Sequence, residues 1–127
     1  MHGGLSDQQV QFLLAFYLYM RSDLVAVWEQ FKRDHPPGSE VTGTVSHVAP
    51  FGAFVDLGEP FEALLLVPYM APVDKHPKSF PEDYPKAGDV IAALIRHFGD
   101  QIAPHGAGEI ALTQDPNSLW TKNEGSP

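Results

Sequence analysis

Residues 38–57 read GSEVTGTVSHVAPFGAFVDL, and this stretch decides the fold. From Val41 to Val45, apolar or glycine positions alternate with polar ones, which is the period of two expected of a half-buried strand. Pro50 interrupts the pattern, and a second alternating run follows over residues 51–57. The stretch therefore predicts two strands joined by a tight bend.

Two glycines, Gly43 and Gly52, lie inside these predicted strands. Glycine weakens the interior of a strand, so it is typical of places where the strand bends sharply or another backbone comes close. A small closed barrel requires such bends. The glycines therefore favour a barrel over an open sheet.

Further along the chain, the apolar runs continue at the spacing of a known family. The motifs are GSEVTGTV at 38–45, FGAFV at 51–55, EALLLV at 62–67, GDV at 88–90 and EIALT at 109–113. Over about residues 38–115 the chain thus resembles the S1-type RNA-binding domain, a five-stranded barrel of the oligonucleotide/oligosaccharide-binding (OB) fold. The resemblance implies a fourth strand over residues 90–98 and a closing strand at 109–113.

Residues 1–37 predict a helical extension before the barrel. Ser6 and Gln9 have the spacing of a capping box at a helix start, and a second helix is predicted from near Ser22 to the residues before Pro36. The first helix is apolar nearly all round, which is typical of a buried helix. It could dock on the barrel of the same chain or on another subunit, which would give a homodimer through this helix. Trp28 and Phe31 of the second helix are expected to pack on the barrel.

The expected fold is therefore mainly β, a five-stranded OB-fold barrel preceded by two amino-terminal α-helices. The expected division is a helical extension at 1–37, the barrel at 38–116 and a polar tail at 117–127. The loop between the third and fourth strands, 68–85, is rich in proline and cannot form a long helix. It is either a rigid plug at one end of the barrel or a partner-binding loop whose basic residues are Lys75, His76 and Lys78.

Composition narrows the possible functions. The chain has no cysteine and a formal net charge of −8. Between residues 38 and 116 it has four basic and eleven acidic side chains, a balance that opposes tight, nonspecific binding to phosphate backbones. The histidines are scattered, and the chain shows neither a phosphate-binding loop nor a nucleophile motif. We expect no enzyme activity, no cofactor and no metal site.

No apolar run in the sequence looks long enough to span a bilayer, and the amino terminus has no secretory signal pattern. The expected location is therefore the cytoplasm, with no membrane partner.

The resemblance places a nucleic-acid site on the face of the second and third strands, where bases stack on aromatic side chains. The family's two stacking phenylalanines match Phe51 and Phe54. Its other positions are changed: the strand-three histidine falls on Leu66, the strand-four aspartate on Phe98 (or on Asp100 in a shifted register), the strand-five arginine on Glu109, and the basic residues of strand one on Thr44 and His47. The expected nucleic-acid-binding residues are Phe51, Phe54, His47, Arg96 and His97. The alternative for the two phenylalanines is packing beneath the amino-terminal helices.

Two functions follow from these patterns. The first is a non-catalytic module that binds single-stranded RNA weakly, since the basic site residues are missing. The second is an acidic OB-fold module that binds a protein partner, as a regulator or inhibitor. In the second case an acidic surface would meet a basic partner, or the apolar first helix would mediate self-association. Salt distinguishes RNA binding from a contact made by the first helix, because phosphate contacts weaken with salt and apolar contacts do not.

Overall fold

The computed structural model describes residue 4 and residues 6–99 and 109–119. Its centre is a closed barrel with the strand order β1-β2-β3-β5-β4. The strands are β1 (Glu40–Ala49), β2 (Gly52–Asp56), β3 (Glu62–Leu66), β4 (Val90–Gly99) and β5 (Glu109–Thr113). The β3–β5 pair is parallel and the other pairs are antiparallel. This confirms the predicted five-stranded barrel.

The alternation read from the sequence sets the two faces of the strands. In β2, Ala53 and Val55 are buried, whereas Phe54 is half-buried and Asp56 is exposed. The same period places Leu65 of β3 in the core at 0% exposure. Inward-facing aliphatic side chains from all five strands fill the barrel, and the other face of each strand is left for binding.

The two strand glycines stand where backbones come close, as predicted. A Cβ built on Gly43 would lie 2.7 Å from the carbonyl oxygen of Asp56, and one on Gly52 would lie 2.6 Å from that of Leu65. Real Cβ atoms do not approach a backbone oxygen this closely, so a side chain at either position would force the strands apart.

The amino-terminal extension forms one continuous helix, α1 (Asp7–Asp34), rather than the two helices predicted. Its start is the predicted capping box, with the Gln9 amide donating to the Ser6 hydroxyl at 3.1 Å and the Ser6 amide donating to the Gln9 side chain at 2.9 Å. The second helix was predicted because serine, here Ser22, is a common N-cap residue at the start of a helix. No proline or glycine interrupts the chain there, so helical hydrogen bonding continues through it.

Among the described side chains of α1, those of the last turns pack on the barrel. Trp28 and Phe31 are 2% and 6% exposed, and the Trp28 ring meets Phe61 and Phe98 edge to face, with centroids 4.7 and 5.5 Å apart. The expected core packing of Trp28 and Phe31 is confirmed. The first turns behave differently, since their large apolar side chains remain exposed.

The sequence predicted that no apolar segment could span a bilayer. That prediction was wrong, because by length and composition alone α1 is long and apolar enough to cross one. Soluble helices and signal sequences pass the same test, and Trp28 and Phe31 at the carboxyl end of α1 lie in the barrel core.

The proline-rich loop closes one end of the barrel. Met70 and Tyr84 are buried at 0% and 6% exposure, and the Tyr84 hydroxyl donates to the carbonyl of Pro50. Lys75 pairs with Asp83 at 2.8 Å, and the Lys78 ammonium donates to two backbone carbonyls of the loop. Because the loop uses its own cations, the geometry favours the plug over a basic docking site.

Some expectations lie outside the described residues. They concern Asp100, residues 1–3 and 5 of the helical extension, and the part of the polar tail from residue 120 onward.

Candidate nucleic-acid interface

One row of side chains crosses the outer face of the barrel in register. His47 of β1 pairs with Phe54 of β2, Phe54 with Leu64 of β3, Leu64 with Ala111 of β5, and Ala111 with His97 of β4. All five are exposed or half-buried, and the strand neighbours of Phe54, Leu64 and Ala111 are buried in the core. We call these five residues the outer row. It includes three of the five predicted site residues, His47, Phe54 and His97.

An aromatic cluster forms one end of the outer row. The His47 and Phe54 rings stack with centroids 4.3 Å apart and planes 15° apart. Phe51, in the turn between β1 and β2, meets Phe54 edge to face at 5.8 Å and is 53% exposed. These three rings, the aromatic cluster, give a base a flat face and an edge to contact.

The alternative that Phe51 and Phe54 pack beneath the helix is wrong. Trp28 and Phe31 of α1 contact Phe61 and Phe98 instead. Phe51 therefore remains open to solvent at 53% exposure.

The other two predicted residues form the far end of the outer face. The register of β4 shifts between Ile95 and His97, so Arg96 lies in an irregular position of the ladder. Its guanidinium lies over the Tyr69 ring at 4.3 Å, a cation–π contact. An Arg96 Nη2 lies 3.1 Å from Nε2 of His97. We call Arg96, His97 and Tyr69 the cationic end.

Tyr69 was not among the site residues predicted from the sequence. It is half-buried, and its ring holds the guanidinium of Arg96. Its position just after the third apolar strand indicated that its ring lies near the end of the barrel. Its contact with Arg96 could not be predicted, because that contact depends on the register shift of β4 between Ile95 and His97.

The closed barrel connects the two ends by two routes. Between Phe54 on β2 and His97 on β4 lie β3 and β5 in one direction and β1 in the other. On the first route the row positions are Leu64 and Ala111, which offer an apolar floor. This route suits an extended strand that follows the outside of the barrel.

The changed family positions can now be placed. Leu66 is half-buried beside Gly52. Phe98 packs against Trp28 and Phe31, so it supports the helix and is not a binding group. Glu109 is exposed at the start of β5 and lies in register with Glu62 of β3, which places two carboxylates next to each other.

Acidic residues border the aromatic cluster on one side. A cleft of about 700 Å³ runs from Ser46 and His47 past Phe54 to Glu62, and Asp56 and Glu59 also line it. Carboxylates repel phosphate, so a nucleic-acid backbone is favoured on the side of the face that holds Arg96.

The described part of the chain contains no group of three histidine, aspartate or glutamate side chains that could hold a metal ion. What the surface offers is stacking on flat rings, apolar contact and one guanidinium. These are means of binding, and they suit unpaired bases.

Comparison with known proteins agrees with this geometry. The model of the S1 RNA binding domain family matches residues 34–99, which is more than half of the chain. The small ribosomal subunit protein bS1 of Chlamydia trachomatis is 29% identical over 97 residues, which cover 76% of this chain and 16% of that protein. The chain thus spans less than a fifth of the length of this curated relative.

Solved structures match the chain at low overall similarity. GSP13 from Bacillus subtilis is 22% identical, with a TM-score of 0.47 over 72% of this chain and 64% of that chain. The intact alpha subunit of aIF2 from Pyrococcus abyssi is 26% identical, with a TM-score of 0.45 over 61% of this chain and 27% of that chain. On the match over residues 34–99 and the closed five-stranded barrel, the chain belongs to the S1 RNA binding domain family.

Proposed function

We propose that this chain is a non-catalytic module that binds single-stranded RNA by stacking bases on the aromatic cluster. The observation that carries the proposal is the exposed ring of Phe51 beside the stacked pair of His47 and Phe54. Each stacked base contributes about 1–3 kcal/mol in comparable sites. Membership of an RNA-binding family supports this proposal.

In this proposal, Arg96 and His97 contact the strand at the cationic end. Arg96 replaces in part the cation that the family carries on β5, where this chain has Glu109. Tyr69 holds the guanidinium over its ring and so fixes its position. The binding is weak, because one arginine faces a barrel with eleven acidic side chains between residues 38 and 116, and carboxylates repel phosphate.

A polarisation titration of the full chain with labelled oligouridine and oligoadenine tests the proposal. If a single guanidinium contacts phosphate, the affinity falls only roughly threefold between 50 and 200 mM salt, since each neutralised phosphate of a single strand contributes a slope of about −0.7. Phe51→Ala should weaken binding, and Phe80→Ala is the matched control, since Phe80 is an exposed phenylalanine of the proline-rich loop. No binding to either oligonucleotide, or equal losses in both variants, would refute the proposal.

The acidic border favours a second candidate function, an interaction module for a basic protein. Asp56, Glu59 and Glu62 line the same cleft as His47 and Phe54. If the oligonucleotides do not bind, this candidate predicts that an arginine-rich peptide binds with an affinity that falls with salt and with Glu62→Gln. Asp74→Asn, in the proline-rich loop, is the control.

The cytoplasmic location and the three-part division at 1–37, 38–116 and 117–127 are further parts of this proposal.

A further inference from the structure

The amino-terminal turns of α1 expose an unusual amount of apolar surface. We call residues 10–20 of α1 the apolar segment. Its described large side chains are each between 44% and 69% exposed, namely Val10, Phe12, Leu13, Leu14, Phe16, Tyr17, Leu18 and Met20. None of them belongs to the barrel core or packs against it among the described residues.

The exposed area is that of an interface. Large apolar side chains at about half exposure sum to roughly 800 Å² around the whole circumference of the segment, an amount comparable with what one partner contributes to an interface of standard size. Monomeric proteins rarely expose an apolar patch beyond about 300–600 Å². This amount of exposed apolar surface is typical of an interaction site.

We infer that the apolar segment is covered by the same segment of a second copy of this chain. Val10, Leu13, Tyr17 and Met20 follow each other at spacings of three and four residues, which is the pattern of a helix–helix seam. The seam continues to Leu24 and Val27 at the same spacing. A second copy presents the same seam, so the two surfaces are complementary by symmetry.

A bilayer fits the segment poorly. Although α1 passes the test of length and composition, every stretch of it of about 20 residues, the length needed to span a bilayer, includes Arg21 and Asp23, whose charges are costly in hydrocarbon. A helix that lies on a membrane surface needs a polar face rich in lysine and arginine. From Asp7 to Met20, α1 contains neither residue type.

The barrel determines the direction of the partner helix. The next residue of the seam after Val27 is Phe31, which is buried against the barrel at 6% exposure. Beyond Val27, the barrel therefore covers the same face of α1. A parallel partner helix would run into that barrel. An antiparallel partner avoids it, because its own barrel lies at the opposite end. With the two-fold axis near Ala15, Leu13 of one copy meets Tyr17 of the other.

Sedimentation velocity of the full chain over a concentration series tests the proposal. We expect a species of twice the 13.9 kDa chain mass. We expect Leu13→Glu to weaken association at least tenfold, because it places a carboxylate in the apolar seam. Gln11→Glu adds the same charge at a polar position of the same helix and should leave association unchanged. The melting temperature of a dilute sample should be similar in both variants.

Crosslinking tests the direction of the helices, because the chain has no cysteine of its own. A mixture of Leu13→Cys and Tyr17→Cys chains should form a mixed disulfide faster than either variant forms one with itself. Faster crosslinking of each variant with itself would overturn the antiparallel arrangement.

Three outcomes would overturn self-association through this segment. They are a monomeric parent at every concentration, a dimer that Leu13→Glu leaves intact, or co-sedimentation of the parent with mixed phosphatidylcholine and phosphatidylserine vesicles that Leu13→Glu abolishes.

Discussion

The His47 and Phe54 rings stack across neighbouring strands with their centroids 4.3 Å apart and their planes 15° apart. The pair lies at a register position of β1 and β2, so the ladder holds the two rings in place before any ligand arrives. A surface fixed in advance loses less side-chain entropy on binding than a flexible one. The pair is therefore the part of the outer face best suited to bind a base.

The first prediction concerns the phenylalanines of this cluster. Phe54→Ala and Phe51→Ala should each weaken RNA binding by about fivefold to over a hundredfold, since a stacked base contributes about 1–3 kcal/mol. The barrel should remain folded in Phe51→Ala, because the ring is 53% exposed and its loss leaves no cavity. Polarisation titrations measure the affinity, and thermal melts check the fold. A sharp fall in melting temperature for Phe51→Ala would show that its ring is structural.

The second prediction concerns Glu109, which lies next to Glu62 across β3 and β5. Glu109→Arg should tighten RNA binding and steepen its dependence on salt, because it removes one like charge and adds a phosphate-binding group. Glu82→Arg makes the same change of charge in the proline-rich loop and serves as the control. An equal gain in both variants would mean that net charge, and not the outer face, determines the affinity.

The third prediction concerns the docking of α1. Trp28→Ala should lower the free energy of unfolding by about 3–5 kcal/mol, because a large buried ring leaves a cavity. Phe12→Ala, on the same helix and 69% exposed, should cost much less. Urea unfolding of dilute protein measures both. Similar losses in the two variants would contradict the division of α1 into a docked end and an exposed end.

The fourth prediction concerns the proline-rich loop in acid. The hydrogen bond from the Lys75 ammonium lowers the pKa of Asp83, and the backbone amide of Ser79 adds to the effect. A lowered folded-state pKa gives stability that is present above the ordinary aspartate range and is lost as the pH falls through the folded-state value. The parent should therefore lose more melting temperature on acidification than Asp83→Asn does.

Thermal melts at a series of acidic pH values check this prediction, with Asp74→Asn of the same loop as control. Parallel pH profiles for the parent and Asp83→Asn would show that the Asp83 hydrogen bonds add nothing to stability.

Much of the barrel could be predicted because its strands obey a local rule. The period of two predicts that Ala53 and Val55 lie on the face of β2 opposite to Phe54, and this needs no knowledge of the partner strand. The close approach at Gly52 was likewise visible as a glycine inside a strand. The continuous α1 was not predicted, because Ser22 and Asp23 are good cap residues locally while nothing in the sequence requires the helix to stop there.

The candidate site could be predicted only in part. Phe51 and Phe54 follow from the motif, and the outer row follows once the register is known. The contact between Arg96 and Tyr69 depends on the irregular register of β4 between Ile95 and His97. An irregularity of this kind adds a residue to one strand at a position that strand periodicity does not reveal.

The uninterrupted course of α1 has a mechanical consequence. The helix has 28 residues, so it extends about 42 Å at 1.5 Å per residue, and Trp28 and Phe31 fasten one end to the barrel. No proline or glycine within it provides a hinge. A partner that binds the first turns of α1 would therefore also fix the orientation of the barrel relative to that partner. The helix would transmit this orientation over its whole length.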